Sequence, residues 1–166
     1  AYGDTGFNFQ VEIGSAVGIS SHSSVYVGTE TATPTNSEFG YRFGSGNDNW
    51  IMAVSFSNVY YGWQFGQGAT YAVDFSNPDA RGNYIQSRTS TTSLVVYKNG
   101  SLQDTQTNAT INSAPNANLR LFNDSVQYSD RRLQFTTIGD GLSASEITTL
   151  DGIINTFQTS LGRNIY

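Results

Sequence analysis

The chain reads as an all-β protein: a two-sheet antiparallel sandwich closed by one C-terminal amphipathic helix. Three observations predict this. Short segments with apolar residues at every second position recur up to Ile138, which is the period of a half-buried strand. Clusters of Gly, Asn, Asp, Ser and Pro separate them, as turns do in a sandwich or barrel. Only Ser143 to Leu161 carries a helical period.

The segments follow in order. Phe7 to Ile13 alternates apolar and polar residues, and Val25-Tyr26-Val27 and Glu38 to Phe43 are further short strands. Thr29 to Asn36, with Pro34, reads as a loop. Gly44 to Asn49 is a run of turn formers. Trp50 to Phe56 and Val59 to Phe65 predict a hairpin joined near Ser57-Asn58. Tyr71 to Phe75 is a strand stopped by Ser76-Asn77-Pro78-Asp79. Asn83 to Arg88, Leu94 to Tyr97 and Ser101 to Thr105 come next. The last two pair through Asn99-Gly100, the dipeptide favoured in two-residue primed turns. Leu119 to Phe122 and Arg131 to Ile138 bring the count to about eleven strands. No repeat or linker divides the chain, so residues 1–166 are expected to form one domain.

Ser143 and Glu146 are spaced as a capping box, which ties up free backbone N–H groups at a helix start. Ile147, Leu150, Ile153, Ile154, Phe157 and Leu161 form one apolar stripe. That stripe is expected to dock on the sandwich and cover a sheet edge or face. Gly162 is placed to end the helix, with Arg163 complementing its negative end.

Composition narrows the function. Charged residues are 13%, about half the usual share, and Lys98 is the only lysine. The polar surface must therefore be built from Ser, Thr, Asn, Gln and Gly, as in extracellular β-proteins and viral fibres. A net charge of −5 argues against a nucleic-acid partner. The chain has no cysteine, so disulfides and thiolate zinc sites are excluded. No apolar run approaches the roughly 20 residues of a membrane helix, so no membrane insertion is expected. The start at Ala1 suggests a processed product or a piece of something longer.

Catalytic chemistry is sparse. The four glutamates, Glu12, Glu30, Glu38 and Glu146, form no paired-carboxylate run, and Glu146 is explained as a cap. His22 is the only histidine, and Ser21-His22-Ser23 lacks a nucleophile elbow, so His22 is read as a surface-loop residue. Gly46-Asn47-Asp48-Asn49 and Asn123-Asp124 are oxygen-rich enough for calcium, but Asp and Asn are also ordinary turn residues. No cofactor is required by these features. Asn99, Asn108 and Asn123 each begin an Asn-x-Ser/Thr triplet, which chance explains in so Asn- and Thr-rich a chain.

Aromatic residues are the better lead. Tyr60-Tyr61-Gly62-Trp63, with Trp50 nearby, offers ring area on which the C–H faces of a sugar can pack. On a strand, Tyr60 faces opposite to Tyr61 and Trp63. One set must be core, and two readings stand: mostly core aromatics, or a platform of Tyr61 and Trp63. The candidate glycan site is Tyr61, Trp63 and Trp50, with Asp48 and Asn49 supplying hydrogen bonds.

Order and spacing also carry a resemblance. Val95-Val96-Tyr97-Lys98-Asn99-Gly100, Asn118-Leu119-Arg120-Leu121, Ser129-Asp130-Arg131-Arg132-Leu133 and Gly139-Asp140-Gly141-Leu142-Ser143-Ala144-Ser145-Glu146-Ile147 follow one another. This succession resembles the C-terminal half of laminin-G-like and concanavalin-A-like jelly-roll domains. The version with Ser87-Arg88-Thr89 upstream and a long closing helix is similar to domains on bacteriophage structural proteins and bacterial surface proteins. The resemblance covers Arg81 to Arg163; earlier residues fit by pattern only. A Trp-x-His stretch usual in that family is replaced here by Asn83-Tyr84-Ile85-Gln86. Family members often bind calcium and glycans through variable loops, so no specific ligand carries over.

The expectation is a non-enzymatic binding domain, extracellular or on a virion surface, that recognises a cell-surface glycan. The alternative is a structural virion module, decorating a capsid or building a fibre, whose partners are other virion proteins in a larger or oligomeric assembly.

Overall fold

The computed structural model describes residues 3–8, 20–29, 39–41, 49–66, 72–107, 118–122 and 128–166. Eleven strands precede one helix: β1 (Gly3–Asn8), β2 (Ser21–Val27), β3 (Phe39–Tyr41), β4 (Asn49–Phe56), β5 (Val59–Gly66), β6 (Val73–Ser76), β7 (Gly82–Arg88), β8 (Leu94–Lys98), β9 (Ser101–Gln106), β10 (Asn118–Leu121), β11 (Leu133–Gly139) and α1 (Ala144–Ser160). Among the described residues these strands form a six-stranded sheet, β1-β10-β3-β4-β5-β6, and a five-stranded sheet, β11-β2-β7-β8-β9. Every pairing is antiparallel. The fold is a β-sandwich with a C-terminal helix. The first strand begins at Gly3, earlier than the alternation at Phe7 suggested; residues 9–13 lie outside the described residues, as do 30–36 of the expected loop.

Both predicted hairpins form. Ser57 and Asn58 have φ of 51° and 67°, and Asn99 and Gly100 have φ of 51° and 74°. Positive φ at both central residues is what a primed turn needs to match the strand twist.

The core lies between the sheets. It takes Val25 and Val27 from β2, Trp50, Met52 and Val54 from β4, and Tyr60 from β5. Tyr84, Leu94, Val96 and Leu119 join them. Tyr60 is held between two rings, Phe75 at 5.0 Å and Tyr84 at 5.6 Å between centroids. The Tyr84 hydroxyl accepts from Asn77 Nδ2 at 2.8 Å, and Lys98 Nζ donates to Asn77 Oδ1 at 2.6 Å. These bonds keep the polar ends of a large aromatic core satisfied.

The helix has both predicted ends. Ser143 caps it, and the capping box with Glu146 is complete. At the other end Gly162 has φ of 64°, and its N–H donates to Thr159 O. Arg163 N–H donates to Gln158 O, which completes a Schellman motif.

The buried face differs from the predicted stripe. It is Ile147, Asp151, Ile154 and Gln158, whereas Ile153, Phe157 and Leu161 are 60%, 44% and 48% exposed. At 100° per residue the helix is rolled by roughly 60° from the orientation that would bury every apolar residue. Polar pairing accompanies the roll. Asn83 Nδ2 on β7 donates to Asp151 Oδ1 at 2.7 Å, and Tyr166 OH donates to the same oxygen at 3.1 Å. Tyr166 also stacks on Tyr26, with centroids 5.9 Å apart. The segment after the helix thus folds back onto the outer face of the five-stranded sheet.

Candidate functional site

The site is built on β5. Tyr60 and Gln64 are 0% exposed and point between the sheets. Gly62 lies between them on that inner side. A Cβ there would come within 2.4 Å of Gln86 Oε1, so only glycine fits without displacing Gln86. Alternation then turns Tyr61 and Trp63 to the outward face of the six-stranded sheet. Both are half-buried. Their rings lie 5.9 Å apart with planes 14° from parallel.

The five-stranded sheet holds this strand from behind. Gln86 Nε2 donates to Trp63 O at 3.2 Å, and Arg88 Nη2 donates to Gln64 O at 3.0 Å. Tyr60 OH donates to Gln86 Oε1 at 3.2 Å. A pair mounted on a strand fixed in this way is more constrained than one on a loop.

The surroundings follow from register. Ile51 and Ala53 on β4 stand opposite Trp63 and Tyr61. They are 1% and 3% exposed and give the pair a closed apolar flank. A register shift between Ala53 and Phe56 brings Phe56 edge-on to Tyr61, with centroids 6.1 Å apart at 75°. On the other side, Asp74 of β6 pairs with Tyr61 and is exposed. Its backbone N–H donates to Asp104 Oδ2 of β9 at 2.9 Å. Arg120 occupies the same outward row as Trp63, through Gly40 and Ile51. With β3 and β4 between them, strand spacing puts Arg120 about 14 Å from Trp63.

The structure brings Tyr61 and Trp63 together on the outward face. Trp50 does not join them. It is 0% exposed, belongs to the core, and its indole N–H donates to Ser23 Oγ at 3.0 Å. The correction has a simple cause: Trp50 alternates with Ile51, and it points between the sheets together with Met52 and Val54. Asn49 opens β4 opposite Gly66. Asp48 lies outside the described residues, as do 46–47 and 123–124 of the two calcium candidates. Among the described residues no group of three His, Cys, Asp or Glu side chains gathers as a metal site would require.

His22 is also corrected. It sits within β2 and is 8% exposed, not in a surface loop. Its Nδ1 lies 2.6 Å from Asp140 O and its Nε2 lies 3.1 Å from Thr137 Oγ1. A carbonyl only accepts, so Nδ1 carries the proton and Nε2 accepts from the threonine. Burial pushes the His22 pKa below its ordinary value, opposed by the bond to Asp140 O and the Asp140 charge.

Two residues of the site were missed in sequence, Phe56 and Asp74. Val73-Asp74-Phe75 does place an acid between two apolar residues, which marks Asp74 as outward. Nothing local shows that β6 would pair with β5 and set Asp74 beside Tyr61.

No protein-family model matches the chain, and no curated protein matches it. Solved structures do. The binding domain of botulinum neurotoxin serotype C1 is similar over 81% of this chain and 36% of its own, with 17% identity and a TM-score of 0.52. The binding domain of botulinum neurotoxin DC, solved in complex with SialylT, is similar over 84% of this chain and 37% of its own, with 16% identity and a TM-score of 0.52. Another structure, of a receptor binding domain, gives 13% identity and a TM-score of 0.52 over 81% of this chain and 35% of its own. The chain thus spans little more than a third of each. At these identities the likeness establishes the fold, a jelly-roll-like β sandwich.

Proposed function

We propose that this domain is a non-enzymatic binding module that recognises a glycan on the outward face of its six-stranded sheet. It would act outside the cell, on a virion or bacterial surface, consistent with the laminin-G-like and concanavalin-A-like resemblance. The observation that carries the reading is the pairing of Tyr61 and Trp63: two half-buried, near-parallel rings on one strand face, held from behind and flanked by a polar group. Aromatic rings of this kind accept the C–H face of a pyranose, and nearby polar groups orient its hydroxyls. Sugar hydroxyls trade water for protein at little net gain, so each site binds modestly. Repeated copies on one particle would supply avidity. The fold shared with toxin binding domains supports a binding role only by analogy.

A glycan array tests it. Wild-type protein should bind a defined set of glycans, and Trp63→Ala should weaken that binding by roughly tenfold or more while the fold is retained. Trp63-independent binding, or none, would exclude the platform.

The exposed apolar side of α1 favours a second reading, a structural module packed against other protein chains. Ile153, Phe157 and Leu161 leave apolar area on the surface, and Phe157 meets Phe135 of β11 at 5.6 Å between centroids. A silent array together with a stable oligomer in solution would favour it.

A further inference from the structure

We infer that the Tyr61–Trp63 face selects uncharged glycans over acidic ones, with Asp74 as the residue that sets the choice. The inference rests on the glycan reading above and names the ligand class of that site.

Three observations combine. Asp74 and Tyr61 are direct partners in the β5–β6 ladder, so their side chains rise from the same face about 5 Å apart at Cβ. A sugar lying on the Tyr61 ring therefore has a carboxylate at its edge. Asp74 is exposed, and among the described residues no hydrogen bond or ion pair engages that carboxylate. Its backbone N–H donates to Asp104 Oδ2. That contact brings a second carboxylate to the same edge rather than a cation.

Among the described residues the cations are placed elsewhere. Arg81 is bonded to Asp79 at 2.7 Å. Lys98 donates to Asn77 and to the Asp79 carbonyl, and Arg88 and Arg131 are 0% and 1% exposed. Arg120 shares the outward face, but its distance of about 14 Å from Trp63 exceeds the span of a single sugar ring.

The chemistry follows from this placement. A carboxylate only accepts hydrogen bonds, and it can take two from neighbouring sugar hydroxyls. Charge-assisted bonds of this kind are stronger than neutral ones. A sialic acid, uronic acid or sulfated sugar on the same ring would bring a second negative charge close to Asp74, where like charges repel. The chain as a whole, at −5, adds to that bias. Selection would thus come from an attraction for hydroxyls and a repulsion of acids by one group.

Matched glycans decide it: a galactose-terminated oligosaccharide and the same oligosaccharide with terminal sialic acid or sulfate, tested with wild type, Asp74→Asn and Trp63→Ala. Wild type should favour the neutral member by roughly tenfold. Asp74→Asn should bind the neutral glycan several-fold less well and lose most of the discrimination, and lower ionic strength should widen the preference in wild type. Trp63→Ala should weaken both glycans together. If binding depends on Trp63 but the acidic member is preferred, or Asp74→Asn leaves the ratio unchanged, the selectivity inference fails and the glycan reading stands. If no binding depends on Trp63, both fail.

Discussion

Asn83 on β7 and Asp151 on α1 are joined side chain to side chain, with Nδ2 donating to Oδ1 at 2.7 Å. Both are nearly closed to solvent, at 1% and 8% exposed. The bond therefore sits inside the helix–sheet contact, where losing Asp151 strands the Asn83 amide and losing Asn83 leaves Asp151 Oδ1 with the Tyr166 hydroxyl alone. Asn83→Ala and Asp151→Ala are each expected to cost about 1–3 kcal/mol. A double-mutant cycle, read by chemical denaturation, should show the two losses to be strongly non-additive. Additive losses would mean that the pair does not set how the helix sits.

The roll of α1 separates two residues that the sequence stripe treats alike. Ile154 is 1% exposed and Phe157 is 44% exposed. Ile154→Ala should cost about 2–5 kcal/mol as a core truncation. Phe157→Ala should cost well under half of that, since nearly half of the side chain already meets solvent and its ring packs on Phe135. Paired thermal melts check the order, and equal losses would contradict the observed roll.

Acid should weaken the fold through His22. Its pKa in the folded protein is lowered, chiefly by burial. Between an unfolded value of about 6.5 and that lower value, the unfolded chain binds a proton that the folded chain refuses. Stability contributed by neutral His22 is therefore unaffected above that window and lost as pH falls through it. Protonation would also cost Nε2 its acceptor role towards Thr137. Melting temperature should decline from pH 7 to pH 5, and His22→Gln should flatten that decline. The carboxylates of Asp79 and Glu146, whose pKa values are lowered by bonds from Arg81 and Ser143, act below this range. An unchanged slope in the variant would show that other groups carry the acid response.

Local chemistry made much of the fold legible in advance. Asn99-Gly100 and Ser57-Asn58 accept positive φ, so both hairpins were readable from their turn residues. Ser143 and Glu146 marked the helix start, and Gly162 marked its end, because caps involve only neighbours along the chain. Alternation alone showed that Tyr60 opposes Tyr61 and Trp63. It did not say which side faced water, since that depends on where the second sheet lies. Trp50 went to the core for the same reason. The helix stripe pointed to the wrong arc because periodicity sees apolar residues and not the Asn83 that Asp151 meets across a long stretch of chain. His22 looked like a loop residue until β11 supplied the Thr137 hydroxyl, and the residue after β11 the Asp140 carbonyl, around it. Asp74 became part of a site only when β6 paired with β5. Turns and caps are written in consecutive residues, so the sequence by itself determined them. Strand pairing, burial and the composition of a site join residues far apart in the chain, and only the tertiary structure decided those.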